Sequence, residues 1–434
     1  MTSTLTVADR RRAALERRTA SAAPARSAAR VKSQTAKSLR SKTLPARRRP
    51  LLQPARQATK SAWTTRGKLG PPPGTFYVIA GIVAVFVMLG LVMVLSASAI
   101  TQVNVGNSPY AVFGRQAMWA GFGLIGMIFA TQVPYTVWRP LTIPLAVLGV
   151  GAMAAPFVPG LGVSINGARS WIRVGGFSMQ PSEFLKLVVV IVAADLLTRR
   201  ERGMADPTRT VLPVAAIAGL AAALCLVQGD LGSAIVIGAI VLSVAWIAGL
   251  PMRQISMLGF VAIAGALIFV VSSPRRLSRF TAFTDIEAHK EFESYQVYQG
   301  LVSIANGGLT GSGIGGSRAK TGFLPYAHSD FIFSIIADEL GMIGAAAVVG
   351  GFIVLVAFGV QTALAAPDRF GMLLAGGISA WFGVQAIVNL GGVTGLMPVT
   401  GLTLPFFSAG GSSLFVSMFA AGLLLSVARR VPRR

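Results

Sequence analysis

The 434 residues include a single cysteine, Cys225, and two histidines, His289 and His328. One cysteine excludes an intramolecular disulfide and a thiolate zinc site. The histidines stand too far apart in sequence for a spaced metal motif, which argues against transition-metal chemistry. Charge is scarce as well, at 12% of residues against roughly 25% in soluble domains, whereas 53% are hydrophobic. The N-terminal region has no apolar run of the kind a secretory leader needs and is rich in Arg, Ala and Ser instead. The first apolar segment starts near Phe76 and reads as a retained signal anchor.

The basic residues present are unevenly placed. The net charge is +24, but residues 1–75 hold 18 Lys and Arg against only Asp9 and Glu16. Such a run reads as a disordered, solvated tail on the cytoplasmic side. It can touch anionic lipid or an acidic cytoplasmic protein. It shows no aromatic interleaving or DNA-binding motif, so no specific nucleic-acid partner is expected.

From 76 to 428 the chain reads as an all-α integral membrane domain with about ten transmembrane helices. The expected spans are 76–98, 115–133, 141–158, 183–198, 211–227, 231–249, 255–273, 331–360, 371–392 and 411–428. Gln228-Gly229-Asp230 is read as a tight turn between two helices, because the combined run is too long for one span. With the tail inside, Arg139, Arg199, Arg200, Arg202, Arg209, Arg253 and Arg369 fall in cytoplasmic loops. The short basic C-terminus, 429–434, falls on the same side. Three segments remain outside, 159–182, 274–330 and 393–410. The large one, between the seventh and eighth spans, carries Arg275, Arg276, Arg279, Lys290, Arg318 and Lys320 against the positive-inside trend. Long loops translocate regardless of charge; alternatively, the cluster is an anion site for a phosphate-bearing lipid.

Ionisable groups at membrane depth are functional suspects. Asp195 has Arg199 four residues on, as in a local ion pair. Glu183 and Lys186 lie three apart on one helix and are either a buried structural pair or substrate contacts. Asp330 lies in Leu324-Pro325-Tyr326-Ala327-His328-Ser329-Asp330-Phe331, where the large loop meets a helix. It is either an N-cap favoured by the helix dipole or a general base at the membrane surface. Gly311-Ser312-Gly313-Ile314-Gly315-Gly316 matches G-x-G-x-x-G but follows no strand, so the dinucleotide reading fails. A flexible loop fits better. The Gly- and Pro-rich stretch from Gly391 to Gly411 is irregular backbone at depth. It either walls a cavity or makes a re-entrant turn.

Several stretches together resemble the SEDS family (shape, elongation, division and sporulation), which includes FtsW and RodA, over roughly residues 76–428. They are Asn166-Gly167-Ala168-Arg169-Ser170-Trp171-Ile172, Gln180-Pro181-Ser182-Glu183, Asp230-Leu231-Gly232, Tyr295-Gln296, Leu324 to Phe333, and Gly401-Leu402-Thr403-Leu404-Pro405 through Gly410-Gly411-Ser412-Ser413. The last stretch looks more like the division type. The chain departs from the family at Gly229, where Pro is usual, and at Ser233 and Ser329, where Thr is usual. It also has Asp338-Glu339 where two glutamates are common.

The resemblance implies a peptidoglycan glycosyltransferase that polymerises lipid II at the outer membrane face, with Asp330 as the essential loop aspartate. Inversion of an α-linked donor needs a base for the acceptor hydroxyl and a cationic site for the departing diphosphate. Arg169, Arg173, Lys186, Arg275, Arg276, Arg279 and Lys320 are candidates for the second role. Glu183, His328 and Ser329 are further substrate-binding candidates. A divalent cation, Mg or Mn, would be chemically reasonable at the diphosphate, though no dedicated cage is legible. The implied partners are a class B penicillin-binding protein and other division proteins. A lipid II flippase, an elongation-type RodA homologue and a tail-tethered scaffold are the competing readings. A flippase needs polar groups through the whole bilayer, whereas the polar groups here lie toward one side. Deleting residues 1–70 is expected to leave glycan synthesis in vitro unchanged and to alter localisation in cells, as seen with a fluorescent fusion; loss of synthesis on truncation would give the tail more than a tethering role.

Overall fold

Long apolar runs satisfy their backbone only as helices, and that dictates most of the architecture. The computed structural model describes residues 71–432 except 166, 167, 176 and 205. The expectation of a disordered tail over 1–75 therefore falls almost wholly outside the described residues. The elements are α1 Gly74–Asn104, α2 Ala111–Gln132, α3 Thr142–Ala152, β1 Gly162–Ile165, β2 Ala168–Val174, β3 Phe177–Met179, α4 Pro181–Arg199, α5 Leu212–Val227, α6 Leu231–Ala248, α7 Met252–Val271, α8 Pro274–Thr284, α9 Tyr295–Asn306, α10 Ile332–Leu364, α11 Arg369–Val393 and α12 Gly411–Ala428. Each of the ten expected spans falls on a helix. Among the described residues, eight helices are long and apolar enough to cross a membrane. The segment Thr142–Phe157 is shorter. Helix α4 carries Glu183, Lys186, Asp195 and Arg199 and misses on charge.

Two expected loops hold regular structure. Segment 159–182 contains a three-stranded antiparallel sheet in the order β1-β2-β3, pairing Val163 with Trp171 and Ile172 with Met179. Its strands are four, seven and three residues long, too short for a clear period-two signal. Segment 274–330 contains the amphipathic helices α8 and α9.

Helices α11 and α12 form the centre. The apolar window of α12 is 83% buried, against 6% for α7 at the periphery. Helix α12 packs on α2, and α11 on α10, α6 and α4. Hydrogen bonds define two ends. At one, Arg139 and Arg199 both hold Asp195, at 2.8 and 2.7 Å, and Arg369 reaches Glu201 and the Ala248 carbonyl. At the other, Gln180 and Ser182 both donate to Asp230 Oδ2, and Asp230 Oδ1 caps α6 by accepting from the Ser233 amide. The turn Gln228-Gly229-Asp230 separates α5 from α6 as expected.

Helix α10 is broken at Gly341, whose φ of 69° and ψ of −169° leave neighbouring backbone groups without helical partners. The segment 308–313 supplies them. Met342 and Ile343 amides donate to the carbonyls of Gly308 and Leu309, and the amides of Ser312 and Gly313 donate to Asp338 and Glu339, at 2.9–3.3 Å. The Gly-x-Gly stretch is thus docked backbone to backbone rather than flexible. The two acids at the break are also covered. Asp338 accepts from Ser303 and Ser317, while Glu339 accepts from Ser96 and from Lys320 at 2.7 Å.

A side chain at Gly341 would sit 2.4 Å from Gly311 N and Leu309 O, whereas one at Gly350 in the same helix meets nothing within 4 Å. Gly341→Ala is expected to destabilise the detergent-solubilised protein by about 2–4 kcal/mol, read as a lower thermal midpoint. Gly350→Ala should leave the midpoint unchanged or slightly higher.

Candidate active site

The segment before α10 is held by its backbone. His328 O accepts from the Ala409 amide at 2.9 Å, Ser329 O from the Ser408 hydroxyl at 2.7 Å and Asp330 O from Asn389 Nδ2 at 3.0 Å. Three consecutive carbonyls are therefore fixed by the 402–410 loop and α11. That loop is anchored in the core by Phe406 and Phe407, which are 2% and 0% exposed and meet Phe382 and Phe86 at ring distances of 5.1 and 4.8 Å. Tyr326 and Phe406, with φ of 55° and 69°, are the two non-glycine residues in the left-handed region among the described residues. Each stands on one of the two segments that meet at Asp330. Strained backbone of this kind persists only where surrounding contacts over-determine it.

Burial raises the Asp330 carboxyl from 3.8 to about 6, with the Ser329 hydroxyl bond pulling the other way. The residue as a whole is only partly buried, so the desolvated carboxyl belongs to a segment that solvent still touches. A carboxylate with a pKa near the working pH suits general-base catalysis. On one side Asp330 faces a narrow slot with Asn389, Gly392, Thr400 and Gly401. Two residues before it, His328 lines a larger cleft of about 280 Å³ with Arg115, Gln116, Trp119, Phe177 and Ala409. Burial and the nearby Arg115 charge lower the His328 pKa, which favours neutral imidazole. No carboxylate pairs with Arg115 among the described residues.

The structure thus brings Asp330, Ser329 and His328 together and distributes the other candidates elsewhere. Lys186 and Glu183 form a fully buried pair at 2.8 Å, with Lys186 also donating to Gln385. Lys320 is buried against Glu339. Arg169 and Arg173 are exposed on β2, on the side opposite the buried Ser170 and Ile172. Arg276 stacks on Phe269 and donates to its carbonyl, and Arg279 is exposed on α8. The Arg275 side chain is outside the described residues. No three His, Cys, Asp or Glu side chains cluster among the described residues.

Arg115 and Asn389 escaped the sequence reading, which searched membrane depth for acids. The signal existed. Arg115 is a cation near one end of a span, and Gln385 and Asn389 are two amides four apart in an apolar helix.

The family model described as cell cycle protein, of the FtsW, RodA and SpoVE type, matches residues 77–432. The chain belongs to the FtsW/RodA/SpoVE family. It is 38% identical to stage V sporulation protein E of Bacillus subtilis over 341 residues, 79% of this chain and 93% of that one. It is 37% identical to the probable peptidoglycan glycosyltransferase FtsW of Mycobacterium tuberculosis over 365 residues, 84% of this chain and 70% of that one. Among solved structures it resembles a chain from "Structural coordination of polymerization and crosslinking by a peptidoglycan synthase complex". The TM-score is 0.66 and the identity 30%, covering 81% of this chain and 97% of that one. It also resembles the rod shape determining protein RodA of Thermus thermophilus, with a TM-score of 0.60 and 28% identity, covering 82% and 97% of the two chains. The SEDS resemblance of the motifs is therefore borne out, as is the all-α membrane fold; the expected count of ten spans is not, since eight helices among the described residues are long and apolar enough.

A carboxyl raised above its unfolded value favours the folded state when protonated. That contribution is complete below the unfolded pKa and is lost as pH rises through about 6. Above that pH the ionised group costs on the order of 2–3 kcal/mol. Asp330→Asn is accordingly expected to melt a few degrees above wild type at pH 8, with the difference shrinking as pH falls through 6 and vanishing below about pH 4. A lower melting point at pH 8 would make Asp330 a structural cap instead.

Proposed function

We propose that this chain is a peptidoglycan glycosyltransferase that polymerises lipid II into glycan strands at the outer face of the cytoplasmic membrane, in septal synthesis during cell division. The observation that carries the reading is the buried carboxyl of Asp330, raised to about 6, in a segment held by three backbone clamps, with a slot at Asp330 and a cationic, aromatic cleft at His328 two residues before it. Asp330 takes the proton from the acceptor hydroxyl as that oxygen attacks the anomeric carbon of the donor. Attack opposite the α-linked leaving group gives the β-linked product. Arg115 stabilises the charge developing on the departing diphosphate, and neutral His328 donates a hydrogen bond there. Trp119 and Phe177, in edge contact at 6.0 Å, offer an apolar wall to the sugar or the first isoprene units.

The arginine-rich end of the bundle is proposed to be cytoplasmic, which places both termini inside and Asp330 outside. The partner in this reading is a class B penicillin-binding protein that cross-links the product, in company with other division proteins. The structural likeness to a chain of a peptidoglycan synthase complex supports the partner. The division-type Gly401 to Gly411 stretch supports the septal role.

The test is glycan formation from purified lipid II by the chain with its cognate penicillin-binding partner, whose transpeptidase is blocked. Wild type is expected to make long strands, with a rate that rises with pH through about 6 as Asp330 ionises. Asp330→Asn should lose at least about 1,000-fold, in keeping with the loss of a general base. Full activity in the variant, or a folded wild-type complex that makes no glycan but translocates lipid II, would replace this reading with the flippase.

A further inference from the structure

Asn389 does more than hold Asp330. Its Nδ2 donates to two carbonyls, Leu402 O at 2.7 Å and Asp330 O at 3.0 Å. Two acceptors on one atom identify it as the amide nitrogen, so the other atom is Oδ1, which can only accept. Asn389 is 5% exposed, and its Oδ1 is buried without a partner among the described residues. A buried acceptor with no donor is rare and calls for an explanation. Asn389 is also among the residues that line the slot beside Asp330, with Gly392, Thr400 and Gly401. The cavity there measures about 10 Å³, room for a single oxygen atom.

An unpartnered acceptor next to a carboxylate repels phosphate and carbonyl oxygens and attracts an O–H. Vicinal hydroxyls of a pyranose lie within hydrogen-bond reach of each other, so one edge of a sugar can address Asp330 and Asn389 together. We propose that Asn389 is a specificity-determining residue for the acceptor sugar. Its Oδ1 accepts a hydrogen bond from the hydroxyl adjacent to the attacking one, and that hydroxyl's oxygen fills the slot. This rests on the polymerase reading and divides the site. The Asp330–Asn389 side takes the acceptor, and the Arg115–His328 side takes the donor's diphosphate. The neighbouring Gln385 donates to Thr403 O at 2.8 Å, so the 402–403 backbone stays anchored when Asn389 is changed.

The experiment compares two acceptor saccharides, the natural one and a deoxy analogue lacking the adjacent hydroxyl, in single transfers by the complex with its penicillin-binding partner. Wild type should prefer the natural acceptor by about 10- to 100-fold in kcat/KM, the value of one buried hydrogen bond. Asn389→Ala should lower the rate on the natural acceptor and bring the preference to within about threefold. Asn389→Asp keeps an oxygen at the slot and should retain most of the preference while losing overall rate. A clamp alone would lower both acceptors equally and leave the wild-type ratio in Asn389→Ala, which overturns the proposal. So does a wild-type ratio near one, which would assign the slot to a water. Calorimetric binding of the two saccharides to the wild-type complex gives the same ratio without turnover. A failure of the polymerase reading is thereby distinguished from a failure of this one.

Discussion

Backbone polar groups at membrane depth must find partners inside the protein, and the organisation around Asp330 depends on that constraint. Where α10 breaks at Gly341, the loop 308–313 completes it with four backbone hydrogen bonds. Where the 402–410 loop enters the core, Ser408, Asn389 and Gln385 take up its carbonyls and amides. The same hydroxyl and amide groups reach across to residues 329 and 330. Rigidity at the carboxylate is therefore a by-product of solvating irregular chain in an apolar interior.

This arrangement separates positioning from chemistry. The Asp330 backbone is fixed through its carbonyl, and the carboxyl has the Ser329 hydroxyl beside it. Among the described residues no cation pairs with it, so the rise caused by burial is not offset by an opposite charge. The cations that a transferase needs are kept apart. Arg115 lines the cleft with His328, whereas Lys186 and Lys320 are neutralised by Glu183 and Glu339 inside the bundle.

The spans were legible in the sequence because twenty or so apolar residues have one stable solution in lipid. Asp330 and its neighbours were legible because the motifs around them occur in order. What escaped was whatever depended on contact between distant residues. Lys320 looks like a free loop cation until Glu339, nineteen residues on, is seen against it. The Gly311–Gly316 stretch looks flexible until Gly341 is seen to be broken. The sheet over 162–179 hid because its strands are too short to show a period. Arg115 and Asn389 were visible as polar residues in apolar runs, and only the restriction of the search to acids passed them over.

The acids at the break in α10 bear on how the chain is made. Asp338 and Glu339 lie early in a helix that must enter lipid, and each is costly there alone. Their partners Ser96, Ser303, Ser317 and Lys320 all precede them in the chain. Synthesis therefore delivers these hydrogen-bond donors and the one cation, Lys320, before the acids leave the ribosome. The opening half of α10 can bury its charge as it emerges, without waiting for α11 or α12.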